Sequence, residues 1–268
     1  MTLLGVNFTP SYPPERLASV ARAADAAGLD ELWLWEDCFA ESGIATATAA
    51  LAVTERIGVG IGLLPVPLRN VALTAMEIAT IERMFPGRLR PGIGHGVQSW
   101  MGQVGARVES PLTLLREYAE ALRHLLDGER VTVSGRYVQL DDVVLDWPPG
   151  GPVALHAGGV KDRTIRLCGE VADGTILVGG LTPEAVHDAR SMVDAAAADR
   201  GRAAPHRLTV FCDAPFAQPS VDVIADLVGS YAGAGADAVI VTPAAGEDDL
   251  ERFVAFVAGQ VRAALDGS

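Results

Sequence analysis

Val59-Gly60-Ile61-Gly62-Leu63-Leu64, then Val71 to Met84, then Leu89-Arg90-Pro91-Gly92-Ile93-Gly94 reads as strand, helix, strand. The two strand segments are apolar at successive positions, as strands covered on both faces require, and a helix between them makes the connection parallel. The same alternation extends outward from this unit. Upstream, Leu3 to Val6 precedes a helical face of Leu17, Val20, Ala21, Ala24 and Ala27 that Gly28 ends, and Leu32-Trp33-Leu34-Trp35 precedes a helix from about Ile44 to Val53. Downstream, Leu115, Ala119, Leu122 and Leu126 share a helical face. Arg130 to Asp146 then breaks the rhythm, because Val131-Thr132-Val133, Ser134-Gly135 and Tyr137-Val138-Gln139-Leu140 predict a β-hairpin. After Pro148-Pro149-Gly150-Gly151, strands near Val153 to His156, Thr175 to Val178, Leu208 to Cys212 and Ala238 to Val241 alternate with helices near Asp162, Glu184, Val221 and Asp248.

A (β/α)8 barrel needs roughly 250 residues, and the chain has 268. The pattern therefore predicts an α/β fold, a single (β/α)8 TIM barrel domain over residues 1–268, with a short β-hairpin insertion between the fourth and fifth units. Pro91 interrupts the fourth strand, where a central strand needs its N–H, and predicts a distortion there.

Hydrophobic residues at 49% and charged residues at 21% exclude a disordered or fibrous chain. The net charge of −13, with no basic cluster, excludes a nucleic-acid or anionic-membrane surface as partner. Met1 leads straight into Leu3-Leu4-Gly5-Val6, and no apolar run approaches the ~18 residues of a membrane span, so the expected location is cytoplasmic. Cys38, Cys168 and Cys212 are too scattered for a disulfide framework or a zinc site, and the histidines show no metal-ligand spacing, so no metal is expected.

In a parallel βα barrel, chemistry gathers at the C-terminal strand ends. Here those positions are Asn7 and Thr9, Glu36 to Cys38, Pro65 to Arg69, His95, Gly96 and Gln98, His156 to Gly159, Gly179-Gly180, Asp213 and Thr242. Two glycine clusters, Gly92-Ile93-Gly94-His95-Gly96 and Ala157-Gly158-Gly159, stand at strand-to-helix junctions. Glycine lets backbone amides approach an anion, and a helix start adds partial positive charge; the alternative is a plain tight turn. The first cluster lacks the dinucleotide spacing, whereas Lys161, Asp162 and Arg163 follow the second.

Arg56-Ile57-Gly58-Val59-Gly60-Ile61-Gly62-Leu63-Leu64-Pro65-Val66-Pro67-Leu68-Arg69, then Ala79-Thr80-Ile81-Glu82-Arg83-Met84, then Gly87-Arg88-Leu89 up to Gly94-His95-Gly96 resembles the bacterial luciferase-like superfamily, in its deazaflavin (coenzyme F420)-dependent oxidoreductase branch. Gly169-Glu170-Val171-Ala172-Asp173-Gly174 resembles a second signature of that family. The resemblance implies a barrel that binds a flavin or deazaflavin at its C-terminal mouth, commonly as a homodimer. It also implies a non-prolyl cis peptide at Gly62-Leu63, with Leu64 beside it, in a bulge that supports the ring. Asp37 matches an acid near the ring, and Gly94-His95-Gly96 and Ala157-Gly158-Gly159 match loops that line the coenzyme. Cys38 stands where that branch commonly has a histidine.

The function these readings favour is hydride transfer between coenzyme F420 and a small-molecule substrate. Alternatives are an FMN-dependent luciferase-like monooxygenase, a non-catalytic flavin-binding relative, and a glycosidase using Asp37 and Asp213. His95 and His156 are candidate proton donors because imidazole titrates near neutrality; either can instead be a structural histidine. Asp37 is the third catalytic candidate. Lys161, Arg163 or Arg69 would meet the coenzyme's acidic tail. Glu36 is a further candidate to hydrogen-bond the ring, with an ordinary salt bridge at the barrel rim as the alternative; Trp33 and Trp35 read as core, and Trp100 is a candidate for pocket lining.

Overall fold

A computed structural model describes residues 2–202, 205–215 and 220–267. In chain order its elements are β1 (Leu3–Phe8), α1 (Leu17–Ala26), β2 (Glu31–Leu34), α2 (Gly43–Ala52), β3 (Gly58–Pro65), α3 (Val71–Met84), β4 (Leu89–Gly94), α4 (Gln98–Gln103), α5 (Pro111–Leu126), β5 (Val131–Ser134), β6 (Gln139–Val143), β7 (His156–Gly158), α6 (Asp162–Val171), β8 (Gly174–Leu177), α7 (Pro183–Asp199), β9 (Arg207–Asp213), α8 (Val221–Gly233), β10 (Ala238–Thr242), α9 (Leu250–Ala255) and α10 (Arg262–Asp266). The strands close into a parallel barrel in the order β1-β10-β9-β8-β7-β4-β3-β2, and β5 and β6 form a separate antiparallel hairpin between the fourth and fifth units. This is the expected barrel with the expected insertion.

Alternate strand residues face opposite ways. Val6, Leu32, Val59, Ile93, Leu208 and Val239 point outward and are buried under the helices, where each such side chain contributes about 1.5–3 kcal/mol relative to exposure. The inward set of Trp33, Ile176, Phe211, Ala238 and Ile240 forms a second core inside the barrel, with Trp35 and Leu63 packed on it. Room for the Trp33 indole comes from β3, whose inward positions are Gly58, Gly60 and Gly62. A Cβ on Gly60 would lie 2.2 Å from Cδ2 of Trp33. At the N-terminal end, Glu31 closes the barrel: its carboxylate accepts from Arg90 at 3.3 Å, Arg207 at 2.7 Å and the Trp33 indole N–H at 2.9 Å.

Two departures from the sequence reading have physical causes. The fifth barrel strand, β7, begins at His156 and not at Val153. The backbone just before it is held by side chains: Leu155 N–H donates to Asp173 Oδ2 at 2.9 Å and Arg123 donates to the Val153 carbonyl at 2.9 Å. Pro91 is accommodated because β4 pairs with β7 only from Gly92 onward, and the β3–β4 register shifts between Ile61 and Leu64 beside it. Among the described residues no helix is long and apolar enough to cross a membrane, and no His, Cys, Asp and Glu cluster could hold a metal.

Candidate active site

At the C-terminal mouth lies a cavity of about 380 Å³. Trp35, Glu36 and Asp37 enter it from the end of β2, Gly62, Leu63 and Pro65 from β3, and His95, Gly96, Val97 and Trp100 from the end of β4 and α4. The opposite wall is Gly158, Gly159 and Val160 after β7, Ile176, Val178 and Gly179 from β8, and Phe211 and Asp213 from β9. The register shift in β3 turns Leu63 inward, onto the floor, while Leu64 stays in the outer core. The Gly62-Leu63 peptide is cis, as expected, and so is Cys38-Phe39, which was not expected. Glycine at position 94 leaves room for Leu63, since a Cβ there would sit 2.5 Å from a Leu63 methyl.

The walls are aromatic and aliphatic: Trp35 meets Phe211 edge-on with ring centroids 5.4 Å apart. Among the described residues no lysine or arginine lines the cavity. Two carboxylates do so without a hydrogen bond or ion pair among the described residues. Asp37 is half-buried and Asp213 sits at the rim, and desolvation holds both pKa values above the ordinary aspartate value. Glu36 is different, because it pairs with Arg69 and accepts the Gly43 N–H at the start of α2 at 2.7 Å. Arg69 also reaches Glu77 at 3.5 Å, so the guanidinium expected to meet an acidic tail is engaged by two carboxylates.

His95 Nδ1 lies 3.1 Å from the Gly96 carbonyl. A carbonyl only accepts, so Nδ1 carries the proton and Nε2 of the neutral ring is the free acceptor. Cys38 does not line the cavity, and burial with the neighbouring Glu36 and Asp37 charges pushes its thiol pKa up.

The structure thus brings Asp37, Gly62, Leu63, His95, Gly96, Gly158 and Gly159 around one cavity; Cys38, Leu64, Gly94, Ala157, Lys161 and His156 do not line it. The placement of His156 corrects the sequence reading. It begins β7 instead of ending a strand, is 1% exposed and stacks edge-on against Trp33 inside the barrel. Burial, with Arg207 and Arg90 nearby, pushes its pKa down to about 3, which leaves it neutral and remote from proton donation at the mouth. Ala157 faces the outer core, and Lys161 is exposed as the cap residue before α6. Trp35, read as core, is part of the wall. Phe211, Ile176 and Val178 were missed, although the two-residue parity that turns Trp33 inward applies equally on β8 and β9.

A closed parallel βα barrel with a ligand-sized, apolar-walled cavity at its C-terminal mouth defines a barrel whose site is assembled from strand-end residues. The chain belongs to the luciferase-like monooxygenase family, whose model matches residues 4–225. It is similar to the 5,10-methylenetetrahydromethanopterin reductase of Methanolobus tindarius, 30% identical over 198 residues that cover 74% of this chain and 60% of that protein. It is also similar to the F420-dependent glucose-6-phosphate dehydrogenase of Mycobacterium avium (strain 104), 31% identical over 193 residues that cover 66% of this chain and 57% of that protein. The chain therefore spans about 60% of the length of the curated relatives it matches. The solved coenzyme F420-dependent tetrahydromethanopterin reductase from Methanopyrus kandleri shares the fold, with a TM-score of 0.85 at 18% identity over 98% of this chain and 99% of that one.

Proposed function

We propose that this chain is an oxidoreductase that holds coenzyme F420 at the barrel mouth and acts on a small organic substrate there. The observation that carries the reading is the cavity floored by the β3 irregularity, with Leu63 turned inward between the glycine backbones of β4 and β7. A flat ring would be held here by apolar Leu63, Ile176 and Phe211, with Gly158 and Gly159 presenting backbone without side-chain bulk. When bound, the deazaflavin supplies the hydride-carrying centre.

The chain's own groups position and move protons. In this reading Asp37, which lines the cavity half-buried and unpaired among the described residues, accepts a hydrogen bond from a ring or substrate donor. His95 holds a proton on Nδ1 against the Gly96 carbonyl and presents Nε2, where it takes up or returns the proton that accompanies hydride transfer. Trp35, Trp100 and Phe211 exclude water from the space between. Lys161 and Arg163, both exposed at the start of α6, are the cations left for an acidic tail, since Arg69 is held by Glu36 and Glu77. A homodimer is part of this reading. Fluorescence titration of the purified chain with coenzyme F420 and with FMN tests the cofactor: tighter binding of F420 is expected, and equal or tighter binding of FMN overturns the choice.

A further inference from the structure

Two residues past each ring of the Trp35–Phe211 pair stands a carboxylate, Asp37 after β2 and Asp213 at the end of β9, and all four side chains line the mouth cavity. Asp213 has no task in the reading above. Its carboxylate lies against the backbone of Gly179, where a Cβ would collide with it, so the missing side chain at 179 is what lets it sit on that wall. It has no hydrogen bond or ion pair among the described residues, and lost hydration raises its pKa; Asp37 is in the same condition. Behind them Arg69 is shared by Glu36 and Glu77, so that guanidinium answers two further carboxylates and neutralises one. The mouth is therefore a negative site, and its apolar walls concentrate the field.

We propose that the molecule this mouth takes beside its coenzyme is an apolar compound carrying a protonated amine, and that Asp213 receives the ammonium group. The proposal rests on the oxidoreductase reading of the same cavity and narrows its substrate class; the charged group is a handle for binding, not the centre that exchanges hydride. An ammonium donates three hydrogen bonds and accepts none, which matches a carboxylate left without a donor. Trp35 and Phe211 add to this, since an aromatic face attracts a cation as well as an apolar body. A neutral head group leaves the negative charge uncompensated. An anion is repelled by it, with no lining lysine or arginine among the described residues to offset the repulsion. At the edge of the cavity Val97, Val160 and Val178 are exposed and give the hydrocarbon part a surface to lie on.

Cyclohexylmethylamine, cyclohexylmethanol and cyclohexanecarboxylate share one body and present, at neutral pH, a cation, a hydroxyl and an anion. Titrated into the full chain and followed by ligand-observed NMR, with coenzyme F420 and without it, the ammonium is expected to bind about tenfold more tightly than the alcohol, with the carboxylate weakest. Asp213→Asn keeps the shape and removes the charge at an exposed rim position. It should bring the ammonium to within about threefold of the alcohol and leave the alcohol little changed. Asp199→Asn removes the same charge from the exposed last residue of α7, at the other end of the barrel, and should leave the preference as it was. Equal binding of ammonium and alcohol, no binding of any probe, a preference that survives Asp213→Asn, or an equal loss in Asp199→Asn overturns the proposal. If coenzyme F420 fails to bind in its own titration while the Asp213-dependent preference holds, the oxidoreductase reading falls and the ammonium subsite stands. If the coenzyme binds and the preference is absent, only the subsite falls.

Discussion

At Gly60 a single methyl group would collide with the Trp33 indole, three of whose carbons lie within 2.5 Å of the ideal Cβ position. Trp33 is fully buried and wedged among Phe211, Ile176 and His156, so it has nowhere to retreat. Gly60→Ala is therefore expected to destabilise the fold by about 1–3 kcal/mol or more, a fall of several degrees in melting temperature for a domain of this size. Gly150→Ala is the control, because nothing lies within 4 Å of a Cβ there. Equal melting temperatures for the two variants would contradict this packing. Glycine at position 60 is thus explained by the barrel interior before any ligand is invoked. For His95 the expectation concerns rate: His95→Gln keeps a hydrogen-bonding side chain but cannot carry the proton at Nε2. Single-turnover reduction or oxidation of the coenzyme should slow by about 10²-fold or more, with coenzyme affinity little changed because the neighbouring glycine backbone is intact. Wild-type turnover in that variant would reduce His95 to a loop residue and move the role to Asp37 or water.

At the scale of elements, the hairpin buries Val131, Val138 and Leu140 in the outer core, and one carboxylate ties its turn to α5. Glu117 on α5 accepts the backbone N–H groups of Arg136 at 2.9 Å, Tyr137 at 2.8 Å and Val138 at 3.1 Å, where the chain turns from β5 to β6. Those bonds and the Arg136 charge hold its pKa below the ordinary glutamate value although partial burial opposes them. The sign follows: the clamp contributes in full above the unfolded-state pKa and is lost as pH falls through the lower folded value. Glu117→Ala should raise amide hydrogen exchange at Arg136 to Val138 and leave the barrel strands protected; unchanged exchange would show that the turn holds itself. Elements with an uninterrupted apolar period were legible in the sequence. The helix Val71–Met84, capped by Asn70 on the Ala72 N–H at 2.9 Å, and the strand Leu89–Gly94 lie where they were read. The start of β7 was not legible, because Asp173 and Arg123 come from distant parts of the chain to take up its preceding backbone. That misplacement moved His156 from the interior to the mouth. The family-like stretch from Gly169 to Gly174 proves structural: a Cβ on Gly169 would lie 2.6 Å from the Val193 carbonyl of α7, and Asp173 pairs with Arg123 and Arg202. Position after a strand identified Asp37, His95 and Asp213 for the cavity, whereas the aromatic wall depends on inward parity and on which strands face each other across the barrel.

For the molecule as a whole, two buried histidines give stability a pH dependence separate from the net charge of −13. His156, inside the barrel, is pushed down to about 3, and His206, bonded to the Thr175 hydroxyl at 2.7 Å, to about 4, in both cases mainly by burial and then by nearby arginines. Unfolded, each titrates near the ordinary histidine value of 6.5. Below that value the unfolded chain takes up two protons that the folded chain refuses, so stability is lost as pH falls, at up to about 1.4 kcal/mol per pH unit for each histidine. Ordinary carboxylates titrate mainly below pH ~5, and Asp37 and Asp213, raised by desolvation, act with the opposite sign, so a fall in stability between about pH 6.5 and 5 reports the histidines. Urea unfolding across this interval should give a lower midpoint at the acid end. His156→Gln removes one of the two titrations, lowers stability at neutral pH by disturbing the contact with Trp33, and should roughly halve the slope of stability against pH. A slope unchanged by that substitution would mean that His156 gains its proton inside the folded barrel, in contact with Arg207 and Arg90, and would contradict its burial as a neutral ring.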